Sequence, residues 1–429
     1  MLKRLALLGL CFVFMASFVF AGGNQEAPVS EGPSPLSLWY HGAGNEVERS
    51  ILLDVINGFN SSQSDYVIVL EEFPQESYND SVTAAALSGD LPDIIDVDGP
   101  IMPNWAWSGY MAPLGLSENS LKDFLPGAIG EWDGEVYSVG LWDAACAVYA
   151  RKSVLDKYGI RIPSLSNPWT LNEFNSILEK LDASGEFEYA FDPGMAWTGE
   201  WYPYAFSPFL QSFGGDMIDR SDYSTAEGFL NGEAAVAFGQ WWQDLFTKGY
   251  APGTSQDPAD RDTGFIEGRY ALQWNGNWAA PGVLDAVGDD LLFLPAPDFG
   301  KGPKIGAASW QFGIAKTSEK KDGARAFIQY AIQDNYLTAF SDGIGNIPAT
   351  SAATRESKYY SPGAPMEVFF ELSTQQALIR PPTPGYVVMA KVFEKTLADI
   401  SNGAEVQDAL DAAVDEINLD IENNNGYGF

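Results

Sequence analysis

The alternation of strand and helix patterns in the first hundred residues is the feature that most constrains the fold. Short apolar runs at 36–40, 67–70 and 94–97 have the length and composition of strands. Helical apolar spacing at 46–59 and 78–87 separates these runs. Strands joined by helices pair in parallel, so this segment predicts an α/β fold whose ligands lie beyond the carboxyl ends of the strands.

A second unit is predicted to begin near residue 137. Ser153 followed by Asp156, and Thr170 followed by Glu173, have the spacing of capping boxes at helix starts. No charged or Gly/Ser-rich linker divides the chain. We therefore expect interleaved lobes joined by several crossings rather than domains strung one after another.

The N-terminus predicts export. Lys3 and Arg4 precede an apolar stretch at 5–20, and small residues follow it. The stretch is too short to span a bilayer comfortably. These features predict that 1–21 is a signal peptide cleaved after Ala21, with an uncleaved N-terminal anchor as the alternative.

The two cysteines bear on the compartment. Leu10 precedes Cys11, whereas lipidation needs a small residue there, so we expect a soluble periplasmic protein rather than a lipoprotein. Removal of the signal peptide leaves Cys146 alone, so the mature chain has no internal disulfide. The apolar neighbours of Cys146 predict a buried, inert thiol.

Composition limits the partners of the chain. The 24 basic and 58 acidic residues give a net charge of −34, which repels nucleic acid and anionic lipid. Aromatic residues make up 14% and include 13 Trp, many of them beside Gly, Pro, Asn or Asp. Aromatic faces stack on the C–H faces of sugars, and polar side chains bind sugar hydroxyls. The excess therefore predicts a carbohydrate-binding cleft.

Short motifs then follow one another in a recognisable order. They lie at 87–94 (LSGDLPDI), 107–114, 134–139, 147–152, 168–174, 265–272 (FIEGRYAL), 275–278 (NGNW), 294–297, 324–328 and 380–386 (RPPTPGY). In this order they resemble the bacterial extracellular solute-binding proteins of the maltodextrin-binding type, the sugar receptors of ATP-driven importers. Ser138 and Gly140 depart from the family's usual form, and Trp169 and Thr170 stand in swapped order.

The resemblance implies a two-lobe periplasmic-binding-protein fold, type II-like, with three hinge crossings. It implies an N-lobe of 35–141 and 295–342, a C-lobe of 142–294 and 343–429, and crossings near 141–145, 294–298 and 343–348. A ligand closes such lobes by a hinge motion, and the membrane subunits of an ABC importer recognise the closed form. We expect a monomer without cofactor.

Family position and side-chain chemistry together select the candidate ligand-binding residues. They are Trp278, Tyr204, Asp98, Asp143, His41, Glu46, Asn275, Trp310, Arg380 and Tyr386. Trp278 lies in a glycine-containing loop where an indole can lie flat under a sugar ring. Asp98 follows the third strand, and Asp143 in an apolar segment needs a partner such as a sugar hydroxyl or an arginine.

Several of the candidates also fit a second role. His41 fits a surface loop, and Glu46 fits a helix N-terminus, where acids are favoured. Trp197 and Trp201 either shape the pocket or pack in the core. Metal binding is not expected, because the acids at 257–262 lack EF-hand spacing.

Two other functions are compatible with the composition. A secreted glycoside hydrolase also combines aromatic residues with acids, although no catalytic pair stands out here. A receptor of the same fold for a cationic ligand such as a polyamine would use the acidic surplus. Because one histidine excludes most triads and zinc sites, we expect a binding protein rather than an enzyme.

Overall fold

The structure is a computed structural model that describes residues 32–307 and 310–428. The predicted signal peptide at 1–21 lies outside the described residues. None of the described helices combines the length and the apolar character needed to cross a bilayer.

The described residues form β-strands and α-helices in alternation. The strands β1 to β15 are Ser34–Tyr40, Tyr66–Glu72, Ile94–Asp98, Met111–Ala112, Ile129–Trp132, Glu135–Gly140, Trp142–Asp143, Cys146–Arg151, Tyr189–Asp192, Tyr270–Gly276, Leu291–Leu294, Ile305–Gly306, Trp310–Ala315, Ile347–Pro348 and Ala377–Leu378. The helices α1 to α16 are Glu46–Ser62, Gln75–Ser88, Met102–Trp107, Glu118–Leu121, Lys152–Lys157, Leu171–Asp182, Trp201–Phe213, Glu233–Thr247, Asp260–Ile266, Ala280–Val287, Lys321–Ala331, Asp334–Ile344, Ser351–Glu356, Glu367–Gln376, Tyr386–Ser401 and Val406–Asn423.

A seven-stranded sheet, here called the large sheet, contains the predicted strand–helix alternation. Its order is β2-β1-β3-β13-β6-β5, and β4 pairs with β13. Strand β1 is parallel to β2 and β3, which confirms the predicted parallel pairing. Strand β13 arrives from much later in the chain and pairs antiparallel with β3. It brings Trp310 opposite Asp98.

Helices cover both faces of the large sheet. Successive strand side chains point to opposite faces, so Leu36 and Leu38 pack on one side, and Ile95 and Val97 pack on the other. Helices α1, α11 and α12 pack on the first face, and helices α2 and α3 pack on the second. The carboxyl ends of β1 and β3 are thereby fixed at one rim.

A four-stranded sheet, here called the small sheet, has the order β11-β8-β10-β9. Strand β8 is antiparallel to β10 and β11, whereas β9 is parallel to β10. Its core extends into the C-terminal helices and contains several large aromatic side chains, among them Trp169, Trp242 and Trp274. Several of the tryptophans that make up the excess therefore lie in the hydrophobic core rather than in a cleft.

Separate strands connect the two sheets. Strand β7 pairs antiparallel with β14, outside both sheets. The segment that follows β14 is shared between the two cores: Ile347 joins the small-sheet cluster, while Ala349 and Ala353 join the large-sheet cluster. Thr350 caps α13 and also donates to Asp334 Oδ1 at 2.7 Å, which holds α13 against α12.

The two capping predictions had different outcomes. Thr170 and Glu173 form the predicted capping box at the start of α6. Ser153 does not cap with Asp156, so that prediction is wrong. Helix α5 begins at Lys152 with Arg151 as its N-cap, and Ser153 instead donates to Asp290, which directly precedes the neighbouring strand β11. Ser153 thus bonds to Asp290, which is distant in sequence, instead of to its local neighbour Asp156.

Candidate functional site

Four aromatic side chains form a cluster beside the small sheet, here called the aromatic cluster: Trp197, Trp201, Tyr204 and Trp278. The ring centroids of Tyr204 and Trp278 lie 6.0 Å apart, and those of Trp201 and Trp278 lie 6.1 Å apart. Trp278 follows β10 and lies directly on Gly276, where a Cβ atom would overlap the indole. The structure thus brings the two principal predicted residues, Trp278 and Tyr204, together.

A buried ionic group lies against the aromatic cluster. The Arg380 guanidinium pairs with the Glu200 carboxylate through Nη1, and its Nη2 lies 4.0 Å from Asp98 Oδ1. Its Cζ lies 5.3 Å from the Tyr204 ring centroid. The Tyr386 hydroxyl donates to Glu200 Oε2 at 2.7 Å. Arg380 therefore connects the end of β3 in the large sheet to the aromatic cluster.

The protonation of Asp98 is unusual. Burial raises the pKa of Asp98 to about 7. The positive charge of Arg380 works against this rise, and the negative charge of Glu200 adds to it. Asp98 therefore changes its charge near neutral pH, whereas Arg380 stays charged.

His41 is buried rather than part of a surface loop. It lies just after β1 with 5% of its surface exposed, so the surface-loop alternative is wrong. Its Nδ1 pairs with the Asp96 carboxylate, and its ring stacks on Trp310 at 3.7 Å between centroids. Burial lowers the pKa of His41, but the negative charges of Asp96 and Glu48 outweigh burial and raise it. Burial raises the pKa of its partner Asp96, against the opposing effect of His41.

Glu46 lies at the exposed start of α1. It lines an open pocket of about 490 Å³ together with the residues at 41–48, Gln75 and Glu76. The pocket lies at the carboxyl end of β1, on the rim predicted from the parallel sheet. Among the described residues, those that line this pocket include no member of the aromatic cluster.

Asn275 and Asp143 have protein partners. The Asn275 amide lies inside β10, where it donates to Asp262 Oδ1 at 2.7 Å and its oxygen accepts from Gly276 N at 2.8 Å. The Asp143 carboxylate accepts from Ser373 Oγ at 2.8 Å and from the amide of Ala144. The partner that Asp143 was expected to need is thus a serine hydroxyl with a backbone amide.

Two charged residues next to the aromatic cluster were not predicted. Glu200 holds both Arg380 and Tyr386, and its position within an aromatic-rich stretch was the only local signal. Arg261 is fully buried, and its Cζ lies 3.9 Å from the centroid of Trp197. It is a lone cation among acids in the sequence, so only the fold reveals its aromatic neighbours.

Several buried polar groups here lack a hydrogen-bond partner within the described residues. They include Trp201 Nε1 and Arg380 Nε, which are both donors. The Tyr204 hydroxyl faces the Cys146 thiol, which bonds only weakly. Buried donors without partners are costly, so a ligand that offers acceptor atoms would stabilise this arrangement.

Within residues 32–307 and 310–428, no group of three or more His, Cys, Asp or Glu side chains is arranged to hold a metal ion. Of the acids at 257–262, Asp260 and Asp262 belong to α9. Asp262 accepts its hydrogen bond from Asn275.

Comparison with known proteins gives three kinds of likeness. The family model described as bacterial extracellular solute-binding protein matches residues 43–336. An uncharacterized lipoprotein of Streptomyces antibioticus is 23% identical over 314 residues, covering 71% of this chain and 68% of that protein. The maltotriose-binding protein of Pyrococcus abyssi is 24% identical over 372 residues, covering 84% and 76%.

Among solved structures, the cyclic alpha-maltosyl-1,6-maltose binding protein of Arthrobacter globiformis superimposes with a TM-score of 0.75 at 23% identity. The superposition covers 91% of this chain and 100% of that one. At this identity the likeness concerns the fold, and the two lobes of that fold account for the two sheets described above.

Proposed function

Because the chain belongs to the family of bacterial extracellular solute-binding proteins, we propose that it captures a neutral mono- or oligosaccharide and delivers it to an ABC importer. The predicted two-lobe α/β fold is confirmed by the match to solved receptors. Relatives of the chain are binding proteins. We accordingly propose that the chain binds its ligand without chemical turnover.

One observation carries the proposal: unpartnered buried donors lie next to the aromatic cluster. The partly exposed ring of Trp278 suits the C–H face of a sugar, and the buried ring of Tyr204 packs beside it. Trp201 Nε1 and Arg380 Nε need acceptors, which sugar oxygens supply. A protonated polyamine has only donors and would leave both groups unsatisfied. This supports a polyol over a cationic ligand.

The charges of the site also disfavour an anionic sugar. Arg380 is paired with Glu200, and Arg261 is paired with Asp192. Both guanidinium groups already have a carboxylate partner, so an added carboxylate or phosphate would have to compete with it. A neutral ligand fits this arrangement best.

We also propose how the chain is organised around this ligand. The expected lobes are 35–141 with 295–342, and 142–294 with 343–429. The contacts of Ala349 and Ala353 with the large-sheet core support moving the last boundary past α13. Arg380 would then lie where the lobes meet on closure. The mature protein would be a periplasmic monomer released by cleavage after Ala21.

The direct test is a thermal-shift screen of neutral mono- and oligosaccharides. A ligand at 100 times its Kd adds about 2.7 kcal/mol to the free energy of unfolding. We expect Trp278→Ala to weaken binding of the best sugar about tenfold, because it removes a stacking face. Trp39→Ala is the matched control, since Trp39 packs against Phe73 beside the large sheet and outside the aromatic cluster. Equal affinity in the two variants would contradict the proposed site.

Two further measurements separate the alternatives. Incubation with labelled oligosaccharides should yield no products, and product formation would refute the binding-protein proposal in favour of a glycoside hydrolase. Calorimetry with spermidine should show no binding at concentrations that saturate the sugar. Tighter binding of spermidine than of any sugar would refute the polyol assignment.

A further inference from the structure

Arg261 lies behind two of the aromatic rings just described. Its Cζ is 3.9 Å from the Trp197 centroid and 5.0 Å from the Trp201 centroid. The two indoles are 4.9 Å apart and meet edge to face. A guanidinium at this distance covers one face of Trp197, so a ligand can stack only on the opposite face.

The guanidinium is held from three directions. Its Nη2 donates to the Trp274 carbonyl oxygen at 2.7 Å, and its Nε donates to Asp192 Oδ2 at 3.3 Å. Gly194, with a φ of +90°, passes so close that a Cβ there would lie 2.6 Å from Cζ. Gln273 donates to both the Asp192 carboxylate and the Arg261 carbonyl. Arg261 therefore has a single well-defined position.

The attraction between the Arg261 guanidinium and the indole rings is stronger inside the protein than it would be at a surface. Arg261 and Asp192 are both fully buried, so water does not screen the attraction of the cation for the indole faces. Arginine suits the role because its planar group stacks on a ring while its N–H groups bond in the plane. A lysine carries the same charge but has no planar group that can stack on the ring.

We propose that Arg261 is a positioning residue for the ligand site: it fixes the orientation of Trp197 and Trp201, and through them the sugar-binding affinity. This inference rests on the proposed function. Arg261 Nη1 has no hydrogen-bond partner among the described residues, and the proposed effect on the ligand passes through the two rings. Its neighbour Asp192 balances its charge, and Gly194 gives it room.

The test removes the cation without leaving an unpaired buried acid. Arg261→Met alone would strand Asp192, and a stranded buried charge is strongly destabilising. The test variant is therefore Arg261→Met combined with Asp192→Asn. Arg269→Met is the matched control, because Arg269 also stacks on an aromatic ring, Tyr270 at 5.3 Å, but outside the aromatic cluster.

We expect the double variant to lose about tenfold in affinity for the best neutral sugar, while the control keeps wild-type affinity. The near-UV circular dichroism of the coupled indoles should change in the double variant with an unchanged far-UV spectrum. Wild-type affinity together with a wild-type near-UV spectrum would overturn the proposal.

Two more measurements cover the remaining outcomes. Should the double variant not fold, Arg261→Lys keeps the charge beside Asp192 but loses the plane. We expect it to lose part of the affinity and of the near-UV signal, and wild-type values in both would refute the proposal. If the wild type binds no sugar, the proposed function fails, but the near-UV comparison still decides whether Arg261 orients the indoles.

A double-mutant cycle separates positioning from general stability. Trp197→Ala combined with the Arg261 and Asp192 substitutions should cost less affinity than the sum of the separate losses, because part of the effect of Arg261 passes through the Trp197 ring. Fully additive losses would mean that Arg261 affects binding by another route and would overturn the proposal.

Discussion

Replacement of Asp98 by asparagine should change how stability depends on pH. Burial raises the pKa of Asp98 from its ordinary value of 3.8 to about 7, against the opposing charge of Arg380. The difference is roughly 3 pH units, and at about 1.36 kcal/mol per unit it corresponds to a free energy on the order of 4 kcal/mol. Asp98 is only 8% exposed, so solvent screening reduces this little.

The direction follows from the raised pKa. Protonated Asp98 contributes stability that is fully present below its unfolded pKa and is lost as the pH rises through about 7. The asparagine that replaces it in the variant cannot ionise. The free energy of unfolding of Asp98→Asn, minus that of the wild type, should therefore rise by up to about 4 kcal/mol between about pH 4 and pH 7, and then level off.

Urea unfolding followed by tryptophan fluorescence at a series of pH values measures this difference. Asp90→Asn is the control, since Asp90 is an exposed acid just beyond α2 on the flank of the same sheet. A difference between Asp98→Asn and wild type that stays constant or falls over this range would refute the assignment of a buried, neutral-pH-titrating carboxyl at the site.

Three further substitutions test packing and local structure. Gly276→Ala should weaken sugar binding more than it lowers the free energy of unfolding, because the new Cβ displaces the Trp278 ring. Fluorescence titration measures the affinity and urea unfolding measures the stability, and an unchanged affinity would contradict the position of that ring. Trp242→Ala should lower the free energy of unfolding by about 3–5 kcal/mol, because the side chain is fully buried. Urea unfolding measures this loss, and a value below about 1 kcal/mol would be inconsistent with a buried Trp242. Thr170→Ala should cost about 1 kcal/mol by removing the capping box with Glu173, and an unchanged urea midpoint would show that the cap adds nothing.

The polar residues of the site show where prediction from the sequence stopped. Asp98 was predicted just past the third strand, and the structure makes it the last residue of β3; its rim could be predicted because strand direction follows from the alternation of local patterns. Its partner Arg380 was a candidate only through family resemblance, and the contact between them depends on chain segments far apart in sequence. Asn275 occupies a motif position, yet its amide donates to Asp262 Oδ1 of α9.

Composition was the least reliable guide to the tryptophans. The excess of 13 Trp predicted a cleft, but Trp105, Trp169, Trp242 and Trp274 lie fully buried in the cores. Indoles fill large cores as readily as they line clefts, and a count does not distinguish the two uses. Trp278 was predicted as a ligand-binding residue from its family position and its loop context beside glycine instead.

The sequence by itself determined what depends on near neighbours: the strand and helix periods of the large sheet and the Thr170 cap of α6. These features require only contacts within a few residues or along one face. Tertiary structure alone decided that Arg261 stacks on Trp197, that Glu200 holds Arg380, and that Ser153 bonds to Asp290 rather than its local partner. The physical reason is that a side chain takes its partner from whatever distant segment packing brings into reach, and local spacing carries no record of that segment.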